Sequence, residues 1–240
     1  MSHILGLVPA RAGSKGVPGK NVRLLAGRTL LDYTADAARQ SGVIDRIVLS
    51  TDSEEIAEAG RSAGIEVPFL RPLELAADET PMLPVIRHAV DTLAAAGWQA
   101  DVIVLLQPTS PLRSPAHVRE AVKLLRTSGA DSVVTVVEVP KHLSPDYVMR
   151  IDNGVLRPFL PEGAGVARRQ DARPAFSREG TVYAFRASTL LRFGNIYGED
   201  CRPLVIDAAQ SLSIDTPEDW EAAERRLQAH GPAPDAHGPR

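Results

Sequence analysis

Apolar residues fall into short runs that alternate with stretches of helical period, and turn residues mark each change. Ile4 to Val8 is an unbroken apolar run, followed by a glycine-rich loop and a helical pattern from Thr29 to Gln40 that Gly42 stops. Arg46 to Thr51 reads as a second strand, with Asp52 or Ser53 able to cap a helix over Glu54 to Ala63. Pro81 fits the first turn of a helix running to about Ala96. Asp101 to Leu106 is continuously apolar after its first residue, which predicts a strand buried on both faces. A helix from Pro115 to Thr127 then leads to a strand from Ser132 to Val137. Strands and helices in this alternation predict an α/β fold, a mostly parallel sheet with helices on both faces.

Between 139 and 180 the pattern breaks into prolines, charges and a turn at Asn153-Gly154, which predicts an inserted arm. Alternation resumes at Thr181 to Phe185, and Ser213-Ile214-Asp215 leads into a helix from Pro217 to about Gln228. The expected organisation is an α/β domain over 1–138 and 181–229, an arm over 139–180, and a disordered tail over 230–240 rich in Pro, Gly and Ala. At 240 residues the chain is long enough to bury a full core.

A formal charge of −3 gives no general attraction to nucleic acid or membrane, so neither is an expected partner. The single cysteine, Cys201, excludes an intrachain disulfide and a cysteine zinc site, and reads as a packed thiol. The first apolar run is too short for a signal segment, and no run approaches the roughly 18 apolar residues of a membrane span. The cytoplasm is the expected location. The histidines have no triad or metal spacing and read as surface or satisfied groups.

Candidate chemistry starts in the loop after the first strand, "PARAGSKGVPGKN" at 9–21. Small residues there let backbone N–H groups approach phosphate oxygens. It is not a P-loop, because five residues separate Gly13 from Gly19 and Asn21 follows Lys20 where a hydroxyl is required. Nor is it a dinucleotide fingerprint, since Gly13, Gly16 and Gly19 are evenly spaced. Arg11, Lys15 and Lys20 bracket the glycines with enough positive charge for a triphosphate and its pyrophosphate product.

This loop resembles the nucleotide-binding signature of the acylneuraminate cytidylyltransferases, which make CMP-sialic acid and CMP derivatives of related nonulosonic acids and are related to the CMP-Kdo synthetases. "VLSTDSEEIAEAG" at 48–60, "VPFLRPLELAADETP" at 67–81, "VLLQPTSPLR" at 104–113 and "SIDTPEDW" at 213–220 resemble further stretches of that family in the same order. The resemblance implies a Rossmann-like sheet of the nucleotide-diphospho-sugar transferase type, CTP as substrate, Mg2+ or Mn2+ as metal, and a homodimer built through the arm. It implies that Arg11, Ala12, Gly13, Ser14, Lys15, Lys20 and Asn21 hold CTP, with Arg11 and Lys20 also catalytic. Arg71 and the loop bearing Ala77, Asp78 and Thr80 are implied readers of the base, an arginine fork suiting a carbonyl edge. Gln107 is implied to face the acceptor and act in catalysis, with Arg168, Arg169 and Gln170 presented to the acceptor carboxylate. Thr109, Ser110 and Arg113 either fix the loop after the central strand or touch the acceptor. Asp52 is read as structural.

Two departures from the family stand out. Relatives carry an Asp-x-Asp pair before the last helix, where this chain has Ser213 and Asp215, so Asp215 is the implied catalytic metal ligand, with Asp207 as a supplement. An Arg-x-Asn-Gly pattern is replaced by Ser177-Arg178-Glu179-Gly180, which puts an acid beside the expected acceptor pocket. The implied reaction is transfer of CMP from CTP to an acidic acceptor such as an acylneuraminate, releasing pyrophosphate. Three other readings remain open on the sequence: CMP transfer to a small phosphonate such as phosphonoformate, a CTP-binding regulator without catalysis, and a sugar-1-phosphate nucleotidylyltransferase using UTP or GTP.

Overall fold

The computed structural model describes residues 2–161 and 168–230, apart from the side chains of Arg169 and His230. In chain order its main elements are β1 (Ile4–Pro9), α1 (Leu30–Ser41), β2 (Arg46–Ser50), α2 (Glu54–Ser62), α3 (Met82–Ala95), β3 (Val102–Leu105) and α4 (Pro115–Ser128). They continue with β4 (Ser132–Glu138), β5 (Met149–Asp152), β6 (Val155–Pro158), β7 (Phe176–Arg186), α5 (Ala187–Phe193), β8 (Cys201–Val205) and α6 (Pro217–His230). The central sheet runs β2-β1-β3-β7-β4-β8. Only β7 opposes the rest, pairing antiparallel with β3 and β4, so the sheet is mixed but mostly parallel.

Successive side chains of a strand point to opposite faces, and here both faces are covered. Ile4, Val8, Val102 and Val104 pack with Leu31 of α1, Ile56 of α2 and Val118 of α4. Their neighbours Leu5, Leu7, Ile103 and Leu105 pack with Ile86 of α3 and Leu190 of α5. Burying each such side chain is worth about 1.5–3 kcal/mol, which explains why these strands carry no polar position. A third cluster joins Val17, Leu25 and Leu30 to Ile214 and Trp220, bringing the segment before α6 against the glycine loop.

Capping follows the sequence closely at α1, where Thr29 Oγ1 accepts from Asp32 N at 3.1 Å and Thr29 N donates to Asp32 Oδ2 at 2.8 Å. At α2 the cap is Ser53, whose Oγ accepts from Ile56 N at 3.3 Å, and Asp52 is left for other work.

The arm does not begin and end at sheet boundaries. Strand β7 starts at Phe176, inside the segment assigned to the arm, and its first residues already pair with Val136, Val137 and Glu138 of β4 in the central sheet. Beyond it, β5 and β6 form a hairpin turned at Asn153 and Gly154, both at positive φ. Residues 162–167 of the arm and 231–240 of the expected tail lie outside the described residues, and α6 extends to His230.

Outside the arm, α5 and β8 went unread in the sequence. Helix α5 is only seven residues long, and β8 contains Arg202 and Pro203, which an edge strand tolerates but a central strand does not. On this edge Cys201 is exposed, so the expectation of a packed thiol fails.

Candidate active site

The C-terminal ends of β1 and β3 open into a cleft of about 410 Å³, the sheet edge at which α/β folds bind ligands. Its wall carries Arg11, Ser14, Lys15, Lys20 and Asn21 from the glycine loop, with Arg71 from the segment after α2. Gln107 and Thr109 come from the end of β3, and Ser213 and Asp215 from the segment before α6. Residues nearly two hundred positions apart thus meet because the Val17–Trp220 cluster clamps the loop to that segment.

The contact there is close. A Cβ added to Gly16 would sit 1.8 Å from Asp215 O, so only glycine permits this approach. Lys20 Nζ donates to Ile214 O at 2.7 Å and lies 3.6 Å from Asp215 Oδ1. Ser213 Oγ donates to Asp215 Oδ2 at 3.0 Å, and Ile214 N donates to Thr109 O at 2.9 Å. Asn21 is buried, lines the cleft and donates from Nδ2 to Arg11 O at 3.1 Å, which fixes the loop backbone.

Charge is arranged with care. Burial lowers the pKa of Lys20 below the ordinary lysine value, with Asp215 pulling the other way. Arg71 is 5% exposed, and burial likewise lowers its pKa against the opposing pull of Asp52. Its Nη2 lies 3.5 Å from Asp52 Oδ1, an ion pair without hydrogen-bond geometry, and both Nε and Nη2 are buried with no hydrogen-bond partner. Buried donors of this kind are costly unless something binds them. Asp52 Oδ1 also accepts from Ala12 N at 3.1 Å, so this residue, read as merely structural, ties the glycine loop to Arg71.

Asp78 forms ion pairs with Arg11 and, at 2.5 Å, with Lys15, and these two cations hold its carboxyl below the usual range. Ala77 and Thr80 shape the turn that presents it, through Thr80 N to Ala77 O at 3.1 Å, and neither lines the cleft. Ala12 and Gly13 also stay off the cleft wall, contributing loop backbone.

At the other end Gln107 lines the cleft, and a Cβ on Gly180 would come within 2.9 Å of its Oε1. Arg113 is buried, donating from Nε to Thr181 O and from Nη2 to Gln107 O, both at 2.5 Å. Burial pushes it down to about 9, still charged at neutral pH. It fixes the loop. Ser110 is buried as well, with its Oγ unpaired. Arg168 and Gln170 are exposed and do not line the cleft of the single chain, and the side chain of Arg169 lies outside the described residues. Asp207 caps the 3₁₀ turn Ala208–Gln210 by accepting from Ala209 N at 2.8 Å, away from the cleft wall. The Glu179 carboxylate is engaged by Thr181 and Ser211 rather than standing free in the pocket.

Among the described residues no group of three or more His, Cys, Asp or Glu forms a metal cage. Asp215 is 71% exposed at the cleft, an oxygen donor suited to a hard cation such as Mg2+ that keeps waters and phosphate oxygens as its other ligands. No helix among the described residues is long and apolar enough to cross a membrane.

A family model described as cytidylyltransferase matches residues 5–229. The chain is 37% identical to a CMP-N,N'-diacetyllegionaminic acid synthase of Legionella pneumophila, covering 94% of this chain and 97% of that relative. It is 31% identical to an N-acylneuraminate cytidylyltransferase of Escherichia coli, over 92% of this chain but only 51% of that longer protein. Among solved structures, a CMP:2-keto-3-deoxy-manno-octonic acid synthetase complexed with CTP superposes with a TM-score of 0.72 at 16% identity, covering 96% of this chain and 100% of that one. That likeness speaks to the fold.

Proposed function

The chain belongs to the cytidylyltransferase family, as a CTP-dependent nucleotidyltransferase that acts on an acidic sugar, and from that premise we propose how its cleft performs the transfer. The acceptor is a nonulosonic 2-keto sugar acid of the legionaminate or acylneuraminate kind. Its anomeric hydroxyl oxygen attacks the α-phosphorus of CTP. The bond from that phosphorus to the bridging oxygen of the β-phosphate breaks, pyrophosphate leaves, and the hydroxyl proton passes to solvent.

The observation that carries this reading is the convergence in one cleft of Arg11, Lys15, Lys20 and Asp215 with Arg71, whose buried Nε and Nη2 have no hydrogen-bond partner. Lys20 and Arg11 neutralise charge growing on the leaving phosphates, where such transfers need stabilisation. The unpaired Nε and Nη2 of Arg71 meet the carbonyl edge of cytosine. Gln107 orients the acid, and Asp215 holds the metal. Mg2+, when bound, supplies further neutralisation of the phosphates.

The named relatives favour a sugar-acid acceptor over a phosphonate and over a regulator without turnover. A homodimer is supported by the exposed Met149, Ile151, Leu156 and Phe159 on and beside the β5–β6 hairpin, apolar surface that a second copy would cover. Arg168, Arg169 and Gln170 then reach the neighbouring chain's acceptor. A cytoplasmic location agrees with the supply of CTP. Pyrophosphate release measured with CTP, UTP and GTP against N-acetylneuraminate, a legionaminate and phosphonoformate tests the reading. Turnover with CTP and a sugar acid supports it, whereas turnover with UTP or GTP, or only with phosphonoformate, rules it out.

A further inference from the structure

Pairing between β4 and β7 is interrupted beside Gln107. Val134 faces Tyr183 and Val136 faces Arg178, so Thr135 alone stands opposite residues 179–182. A bulge of this size costs ladder hydrogen bonds and persists only when other groups replace them. Thr135 supplies part of the replacement, its Oγ1 accepting from Val182 N at 2.9 Å and donating to Val182 O at 3.1 Å. Arg113 Nε adds a bond to Thr181 O, and Glu179 engages the other polar groups of Thr181. Glu179 Oε1 accepts from Thr181 N at 3.1 Å, and its Oε2 accepts from Thr181 Oγ1 at 2.6 Å and from Ser211 Oγ at 3.2 Å.

Each end of this small network touches something the reaction uses. Gly180, between Glu179 and Thr181, packs so closely on Gln107 that an added Cβ would crowd its Oε1. Ser211 lies on the same short segment before α6 as Ser213 and Asp215, four residues before the latter. We propose that Glu179 is a positioning residue, whose carboxylate holds the β7 bulge against Gln107 and fastens it to the segment that carries Asp215. The acid in this position therefore acts on the protein, not as a charge presented to the acceptor. The inference rests on the CMP-transfer reading for its kinetic consequence, though not for its structural one.

The variants E179A and E179Q separate the two roles. A glutamine keeps the length and a carbonyl acceptor for Thr181 N, and its amide can donate to the Thr181 and Ser211 hydroxyls, which accept as readily as they donate. Misplacement of reacting groups by about 1 Å costs on the order of 100-fold. E179A is expected to lower kcat/KM for the sugar acid by roughly 10- to 100-fold on that ground and to be largely rescued in E179Q. Hydrogen–deuterium exchange gives an independent readout, with faster exchange expected across 207–215 in E179A, wild-type exchange there in E179Q, and wild-type exchange in β1 and α1 of both. An unaffected E179A, or an E179Q as impaired as E179A, overturns the proposal. If the wild-type protein makes no CMP conjugate, the functional reading fails by itself. Exchange still decides the positioning role, because unchanged exchange across 207–215 in E179A contradicts it.

Discussion

At the glycine-loop end of the cleft the working groups are cations: Lys20 beside Asp215, Arg11 and Lys15 paired with Asp78, and Arg71 beside Asp52. At the Gln107 end the groups are neutral or tied to the chain, with Arg113 bonded to two carbonyls and Glu179 bonded to Thr181 and Ser211. The two buried arginines show the contrast at its clearest. Arg113 spends its donors on the fold, while Arg71 keeps Nε and Nη2 without hydrogen-bond partners. On the proposed reading, a triphosphate is recognised by charge held ready for it, whereas the second substrate meets a surface shaped by hydrogen bonds.

The largest expected effect is at Lys20, where Lys20→Met should lower kcat by about 100- to 1,000-fold, the usual loss for one donor to developing negative charge. Pyrophosphate release measures it, with circular dichroism to check the fold. The arginine pair comes next. Arg71→Ala should raise KM for CTP by roughly 10- to 100-fold with little change in melting temperature, since its missing hydrogen bonds are to the ligand. Arg113→Met should do the opposite, costing about 1–3 kcal/mol of stability through orphaned carbonyls with CTP affinity nearly kept. Equal behaviour of the two would erase the contrast.

A smaller effect concerns pH. Burial lowers the pKa of Lys20, so its ammonium is lost at a lower pH than an ordinary lysine's. The alkaline fall in kcat/KM for CTP should therefore begin below the range of an unperturbed lysine, and Lys20→Arg, even at reduced rate, should move it upward. The smallest effect is at Asp78, whose carboxylate stands on the cations that the triphosphate needs. Asp78→Asn should lower KM for CTP a few-fold, most at low salt, where exposed charges are least screened. An increase instead would make Asp78 a part of the CTP site rather than its competitor.

The sheet was legible because both of its faces are buried, which leaves β1 and β3 without polar positions, and the α2 cap was narrowed to Asp52 or Ser53 because capping is local. Edge strand β8 was not, since its exposure permits Arg202 and Pro203. In the site, the glycine loop could be singled out by its cations. Asp52 could not, because the same residue before a helix reads as a cap, and its contacts with Ala12 and Arg71 depend on the tertiary fold. Glu179 was visible as an unusual acid, but its partner Ser211 lies 32 residues away with no pattern linking the two.

Mass spectrometry of the product formed from CTP, Mg2+ and N-acetylneuraminate or N,N'-diacetyllegionaminate tests the central claim most directly. The account predicts a CMP–sugar acid conjugate, the sum of acid and CMP less one water, with one pyrophosphate released per conjugate. CTP bound by the folded protein, with no conjugate formed from either acid, would contradict it.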